Sequence, residues 1–208
     1  MTIADLDASL DTSPGLSRSK RLKEATQTTH EGLDQSIMAH HPFADRAHYG
    51  LFVTLQHQFH GDIDALYANP ELSRLLPDLA GRRRLPFIEQ DLRDLGIVPA
   101  IDRTKPEFSE HADIDIPTAL GWLYVAEGSN LGAAFLLKAA GKLGLSETSG
   151  ARHLAAAPEG RGLHWKTFTA ALDAIDLTAP EEERAAAGAR AAFARVQDLV
   201  NDLLARRA

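Results

Sequence analysis

Apolar residues recur at three- and four-residue steps along most of this chain, and no segment alternates in the two-residue manner of a half-buried strand. From Ser17 onward, Leu22, Thr26, Thr29, His30, Leu33 and Ile37 keep the helical spacing, which predicts a helix whose buried face includes His30. The stretch ADRAHYGLFVTLQHQFHGDIDALYANP predicts a second long helix that stops before Pro70, with shorter helices around 71–78 and 80–93. Gly96, Pro99 and Pro106 mark a loop. Asp115 and Pro117 then open a segment that reaches Gly144, and two further helices are predicted near 161–174 and 180–206. Residues 1–16, polar and broken by Pro14 and Gly15, read as a flexible N-terminal tail. That leaves 17–208 as one all-α helical bundle domain.

The long helix after residue 115 carries an anomaly in YVAEGSNLGAAFLL, where Gly128 and Gly132 stand mid-helix with Gly121 just upstream. A glycine there costs roughly 1 kcal/mol relative to alanine. Some object must approach the backbone closely. The four-residue spacing fits either a second helix or a ligand, and spacing alone does not choose between them.

Composition narrows the partner. The chain has no cysteine, so disulfides and thiolate metal sites are excluded, which suits a reducing cytoplasm. No segment approaches the roughly 20 apolar residues of a membrane span, and the first residues lack an apolar signal region. A formal charge of -7 argues against general nucleic-acid binding and favours a small molecule or a protein partner.

Nine histidines invite a metal reading, yet no glutamate is followed by histidine at the third position as in diiron bundles. His57 and His60 read as surface or packing residues, as do His40, His41 and His111. His30 stands apart. It follows a basic cluster of Arg18, Lys20, Arg21 and Lys23, cations that oppose the helix dipole at an N-terminus and so point to an anionic partner. Lys23 and His30 lie about 10 Å apart along the helix axis on nearly one face, within reach of one rigid ligand. The competing reading makes His30 a hydrogen-bonded core residue and the cluster a solvated face.

Taken together, LKEATQTTHEGLD and GWLYVAEGSNLGAAFLLKAA resemble the two defining segments of bacterial heme oxygenases, with GARHLAAAPEGRGLHWKTF continuing the likeness in the later helices. The resemblance runs from about Arg18 to Leu204. It implies a helical bundle holding heme between a proximal helix, with His30 as iron ligand, and a glycine-bent distal helix, with Gly128 and Gly132 over the opposite face. Heme would be both cofactor and substrate, and dioxygen the second cofactor. The same matching makes Lys23, Tyr124 and Lys166 contacts for the heme propionates and Phe193 a pocket wall. Mammalian-type members carry an aspartate after the first distal glycine, where Ser129 stands here. Proton delivery would then rest on backbone groups and water, with Ser129 either a helper or bonded to its own preceding turn.

The activity so implied is oxidative opening of heme at a meso carbon to biliverdin, carbon monoxide and ferrous iron. Lys23 and Tyr124 match members that cut the α position. Ala139 stands where a member with turned heme seating would place a second lysine after Lys138. Electrons would come from a redox partner of the ferredoxin or flavin reductase type. The GRRRL run at 81–85 reads as a solvated face, or a basic patch for an acidic donor. The alternative from another class is a heme-binding carrier or sensor that does not turn heme over. A helical thiamin-degrading enzyme would need a cysteine nucleophile.

Overall fold

The computed structural model describes residues 15–98, 106–110 and 112–204. Residues 1–14 of the expected tail, and His111, lie outside them. Among the described residues there is no strand beyond two isolated bridges at Ser146. The helices are α1 (Arg18–Ala39), α2 (Arg46–Tyr67), α3 (Pro70–Leu75), α4 (Leu85–Asp94), α5 (Ile116–Gly141), α6 (Arg161–Asp173) and α7 (Ala179–Leu199).

Local chemistry explains the starts. The Asp45 carboxylate accepts from the His48 amide to open α2, and Asp115 does the same for Thr118 in α5. Asn69 with Pro70 opens α3, and Thr178 with Glu181 forms a capping box for α7. The predicted helix from 80 divides. Ala80–Arg82 is a 3-10 turn, and Pro86 near the first position sets the start of α4 at Leu85. At the other end of the chain, α7 passes into a π turn at Val200–Leu204.

α1 begins differently, because Ser17 makes no side-chain cap. Arg18 is buried and reaches across the fold, donating to the carbonyls of Leu172 and Ile175 at the end of α6 and to both carboxylate oxygens of Glu182 on α7. Arg21 pairs with the same Glu182 at 2.7 Å. Half of the basic cluster therefore holds the framework together, and Arg18 satisfies the orphan carbonyls of another helix. Lys20 and Lys23 remain exposed.

α7 is the spine of the bundle. It packs most extensively on α5 and next on α1, and α6 lies against both α5 and α1. Glycine makes the α5 contact possible. A methyl group on Gly121 would fall 2.5 Å from the Ala189 nitrogen, 3.0 Å from the Gly188 carbonyl carbon and closer still to the Ala185 oxygen; one on Gly188 would strike Thr118. A second apolar cluster, with Tyr49, Phe52, Ile88 and Leu92 at its centre, packs Ala133 and Ala140 of α5 on the far side.

Candidate heme site

The segments that carried the resemblance lie on α1 and α5, which both pack on α7 and meet each other only briefly. Burial on α1 falls on Arg18, Leu22, Thr26 and Leu33. Each four-residue step drifts by about 40° around a helix, so His30 stands about 80° from Leu22, at the margin of the stripe. Its side chain is 57% exposed. This corrects the expectation of a buried His30, and it leaves the imidazole reachable. Phe193 of α7 is buried and meets that ring edge to face at 5.6 Å. One turn on, an Asp34 carboxylate oxygen lies 3.6 Å from Nε2, with both side chains exposed.

Gly121, Gly128 and Gly132 of α5 differ in their surroundings. Gly121 is filled by α7. At Gly128 a methyl group would make ordinary contact with the Trp165 ring at 3.5 Å, and at Gly132 it would meet nothing within 4 Å. Beside Gly132, Leu131 and Phe135 are exposed, Phe135 by 65%, as is Met38 near the end of α1. Large apolar side chains left in water beside bare backbone are what a flat apolar ligand would cover. A reachable imidazole on α1 and bare glycine backbone with exposed apolar side chains on α5 are groups that a heme could use.

Tyr124, half-buried, tilts against Trp165 at 5.5 Å. The structure thus brings Tyr124, Gly128 and Trp165 together at the contact of α5 with α6, and His30 with Phe193 at that of α1 with α7. Lys23 and Lys166 are exposed cations on α1 and α6, helices that touch. Ser129 donates from Oγ to the Ala126 carbonyl at 2.7 Å, the local bond to its own preceding turn.

Behind Ser129 lies a feature that sequence reasoning missed. A cavity of about 40 Å³ is lined by Ser129, Asn130, Gln56, His60, Arg84 and His153. A water needs roughly 10–15 Å³ and two or more polar partners, and this cavity offers both. Asp91, wholly buried, accepts from the His153 and Arg152 amides, and its Oδ2 stands 2.8 Å from His153 Nδ1. Burial pushes the Asp91 pKa up, but the hydrogen bonds from His153 and Arg152 outweigh it and hold the carboxyl below its usual range. Burial holds His153 down as well, so the imidazole is neutral, with its proton on Nδ1 facing Asp91 and Nε2 as a buried acceptor. Burial, with the nearby Arg84 guanidinium, pushes His60 down to about 3. His60 Nδ1 is likewise buried without a partner. Of the two readings open for His60, the structure gives the packing residue, and, contrary to expectation, Arg82 and Arg84 of the GRRRL run are buried. No spacing rule could have found this set, which converges from α2, α4, α5 and two loops.

The chain matches the family model described as heme oxygenase over residues 16–202. It is 46% identical over 184 residues to heme oxygenase PigA of Pseudomonas aeruginosa, a span of 88% of this chain and 91% of that one. Among solved structures it is similar to the NO- and CO-bound heme oxygenase of Neisseria meningitidis, with TM-score 0.85 and 41% identity over 91% of this chain and 93% of the other. Heme oxygenase-1 of the cyanobacterium Synechocystis, solved with heme, shares the fold at TM-score 0.68 and 16% identity, covering 92% of this chain and 94% of that one. With residues 16–202 matched by the family model and a relative 46% identical over most of both chains, this protein belongs to the heme oxygenase family, enzymes that use heme and dioxygen.

Proposed function

We propose that this enzyme opens heme mainly at the α-meso carbon, with His30 as the iron ligand and Gly128 and Gly132 as the bare distal wall. Bound heme supplies the iron that activates dioxygen and the ring that is oxidised. The protein supplies position, a dry face and protons. His30 presents a reachable imidazole on α1. Gly132 leaves room beside the ring where any side chain would press on it. Because Ser129 spends its proton on Ala126, proton supply falls to α5 backbone groups and to water in the cavity behind them, held by His60, His153 and Arg84.

Seating decides which carbon is cut. Lys23 and Lys166 offer charges on α1 and α6, and Tyr124 a hydroxyl on α5. A charge-assisted bond to a propionate contributes roughly 1.5–3 kcal/mol, enough to bias seating tenfold or more. Electrons come from a protein of the ferredoxin or flavin reductase type. No helix among the described residues is long and apolar enough to cross a membrane, and the cysteine-free chain suits the cytoplasm.

The observation that carries this reading is the contrast between Gly121, packed against a helix, and Gly132, open to a ligand. Reducing the heme complex in air and separating the bilin isomers tests it. Loss of the Soret band with mainly α-biliverdin is expected. Mostly β or δ product would show that Lys23 and Tyr124 do not set the seating.

A further inference from the structure

Immediately before the first ligand-facing glycine stands Glu127, a carboxylate 2% exposed in the middle of α5. Three separate elements converge on it. The Tyr67 hydroxyl at the end of α2 donates to Oε1 at 3.0 Å, and the Arg82 guanidinium, from the 3-10 turn, donates to Oε2 at 3.2 Å. His164 Nε2 of α6 lies 3.7 Å from Oε2. Arg82 is itself fixed, because it donates to the His164 carbonyl and lies over the Phe168 ring at 5.6 Å. Phe168 stacks on Trp165, which covers Gly128 and packs against Tyr124.

We propose that Glu127 is a positioning residue: its bonds to Tyr67 and Arg82 fix the rotation of α5 about its axis, and so the direction in which Gly128, Gly132 and Tyr124 face. Past the glycine contact of Gly121 with α7, the second half of α5 has little else to define that rotation. The buried side chains of α5 run from Ala119 to Glu127 with a break only at Tyr124, covering most of the helix circumference, so apolar burial alone gives no unique facing. Gly121 against Gly188 fixes the approach of the helix two turns earlier. Beyond Glu127 only Ala133 and Ala140 of α5 are buried, which leaves the ligand-facing half lightly held. Successive residues stand about 100° apart around a helix, so a directed carboxylate at 127 also directs 128 and 132. A buried ion pair commonly adds little net stability over well-packed apolar replacements, whereas a directed polar contact can select one packing arrangement. The inference rests on the site assignment above.

The test compares Glu127→Gln with the double variant Arg82→Met plus Glu127→Met, which removes the charges together. Two measurements are made: amide exchange of the apo proteins, and the bilin isomers formed from their heme complexes. For both variants, exchange over residues 128–136 should rise by about tenfold or more through local opening while 116–122 keeps its protection, and the product should become a mixture. The double variant should show this even with wild-type melting. A double variant with wild-type melting, wild-type exchange and unchanged isomers would reduce Glu127 to a stabilising contact and overturn the proposal. Should the double variant not fold, Tyr67→Phe, which removes one bond and keeps the ion pair, decides: faster exchange over 128–136 at unchanged melting supports the proposal, and unchanged exchange overturns it. A wild-type protein that yields no bilin at all would overturn the site assignment instead, and the apo exchange would still decide the role of Glu127.

Discussion

Replacing Gly132 by alanine should make the apo protein more stable and the enzyme worse, whereas the same change at Gly121 should make the apo protein less stable. At position 132 the new methyl meets nothing within 4 Å, so the helix gains its propensity at no steric cost, about 1 kcal/mol. For a chain of this size, that raises the melting temperature by roughly 2–4 °C. At position 121 the methyl is driven against backbone atoms of Ala185, Gly188 and Ala189, which cannot turn away as a side chain would. Overpacking of this kind costs about 1–3 kcal/mol or more, so even after the propensity gain α5 and α7 must separate. Gly128→Ala falls between, because Trp165 at 3.5 Å is an ordinary contact. Thermal melts of the three apo variants give the stability order, and hemin titration followed by turnover gives the functional order. With a methyl pressing on the ring, Gly132→Ala should lose about tenfold in turnover, the equivalent of some 1.4 kcal/mol. If Gly132→Ala instead destabilised the apo protein, or stabilised it with full activity, the argument that a ligand needs this backbone would be wrong.

Lys23→Asn combined with Tyr124→Phe should turn a mainly α-bilin product into a mixture, read by chromatography, with little change in apo melting because Lys23 is exposed. Arg18→Met should destabilise the fold by about 3 kcal/mol, since it strands two carbonyls at the end of α6 and a partly buried Glu182; chemical denaturation measures it. His60 gives a pH dependence. Its folded pKa of about 3 lies below the ordinary histidine value of 6.5, so as the pH falls between those values the unfolded chain takes up a proton that the folded one refuses. Stability is therefore lost on acidification through that window, by up to about 1.4 kcal/mol per pH unit, and His60→Gln should flatten the slope by about one proton.

The sequence made the helices legible because their apolar period is strong and their starts carry recognisable caps, as at Asp115 and Thr178. It made the site legible only in outline. Glycines 128 and 132 could be recognised as costly, but the spacing that links them to Gly121 is identical in kind, and only the position of α7 separates a packing glycine from a ligand-facing one. Arg18 looked like part of an anion-binding cluster, because nothing local reveals that its partners lie more than 150 residues away. The GRRRL run looked solvated for the same reason. Burial of Arg82 and Arg84 is set by Glu127 and by loop carbonyls from distant segments. Charged residues drawn inside by distant partners leave no periodic trace.

The ferric heme complex of His30→Ala, recorded with and without added imidazole, tests the central assignment most directly. Loss of the wild-type spectrum and of turnover, with the spectrum restored by imidazole filling the space left by the side chain, is the predicted result. An unchanged spectrum in the variant without imidazole would show that His30 does not hold the iron.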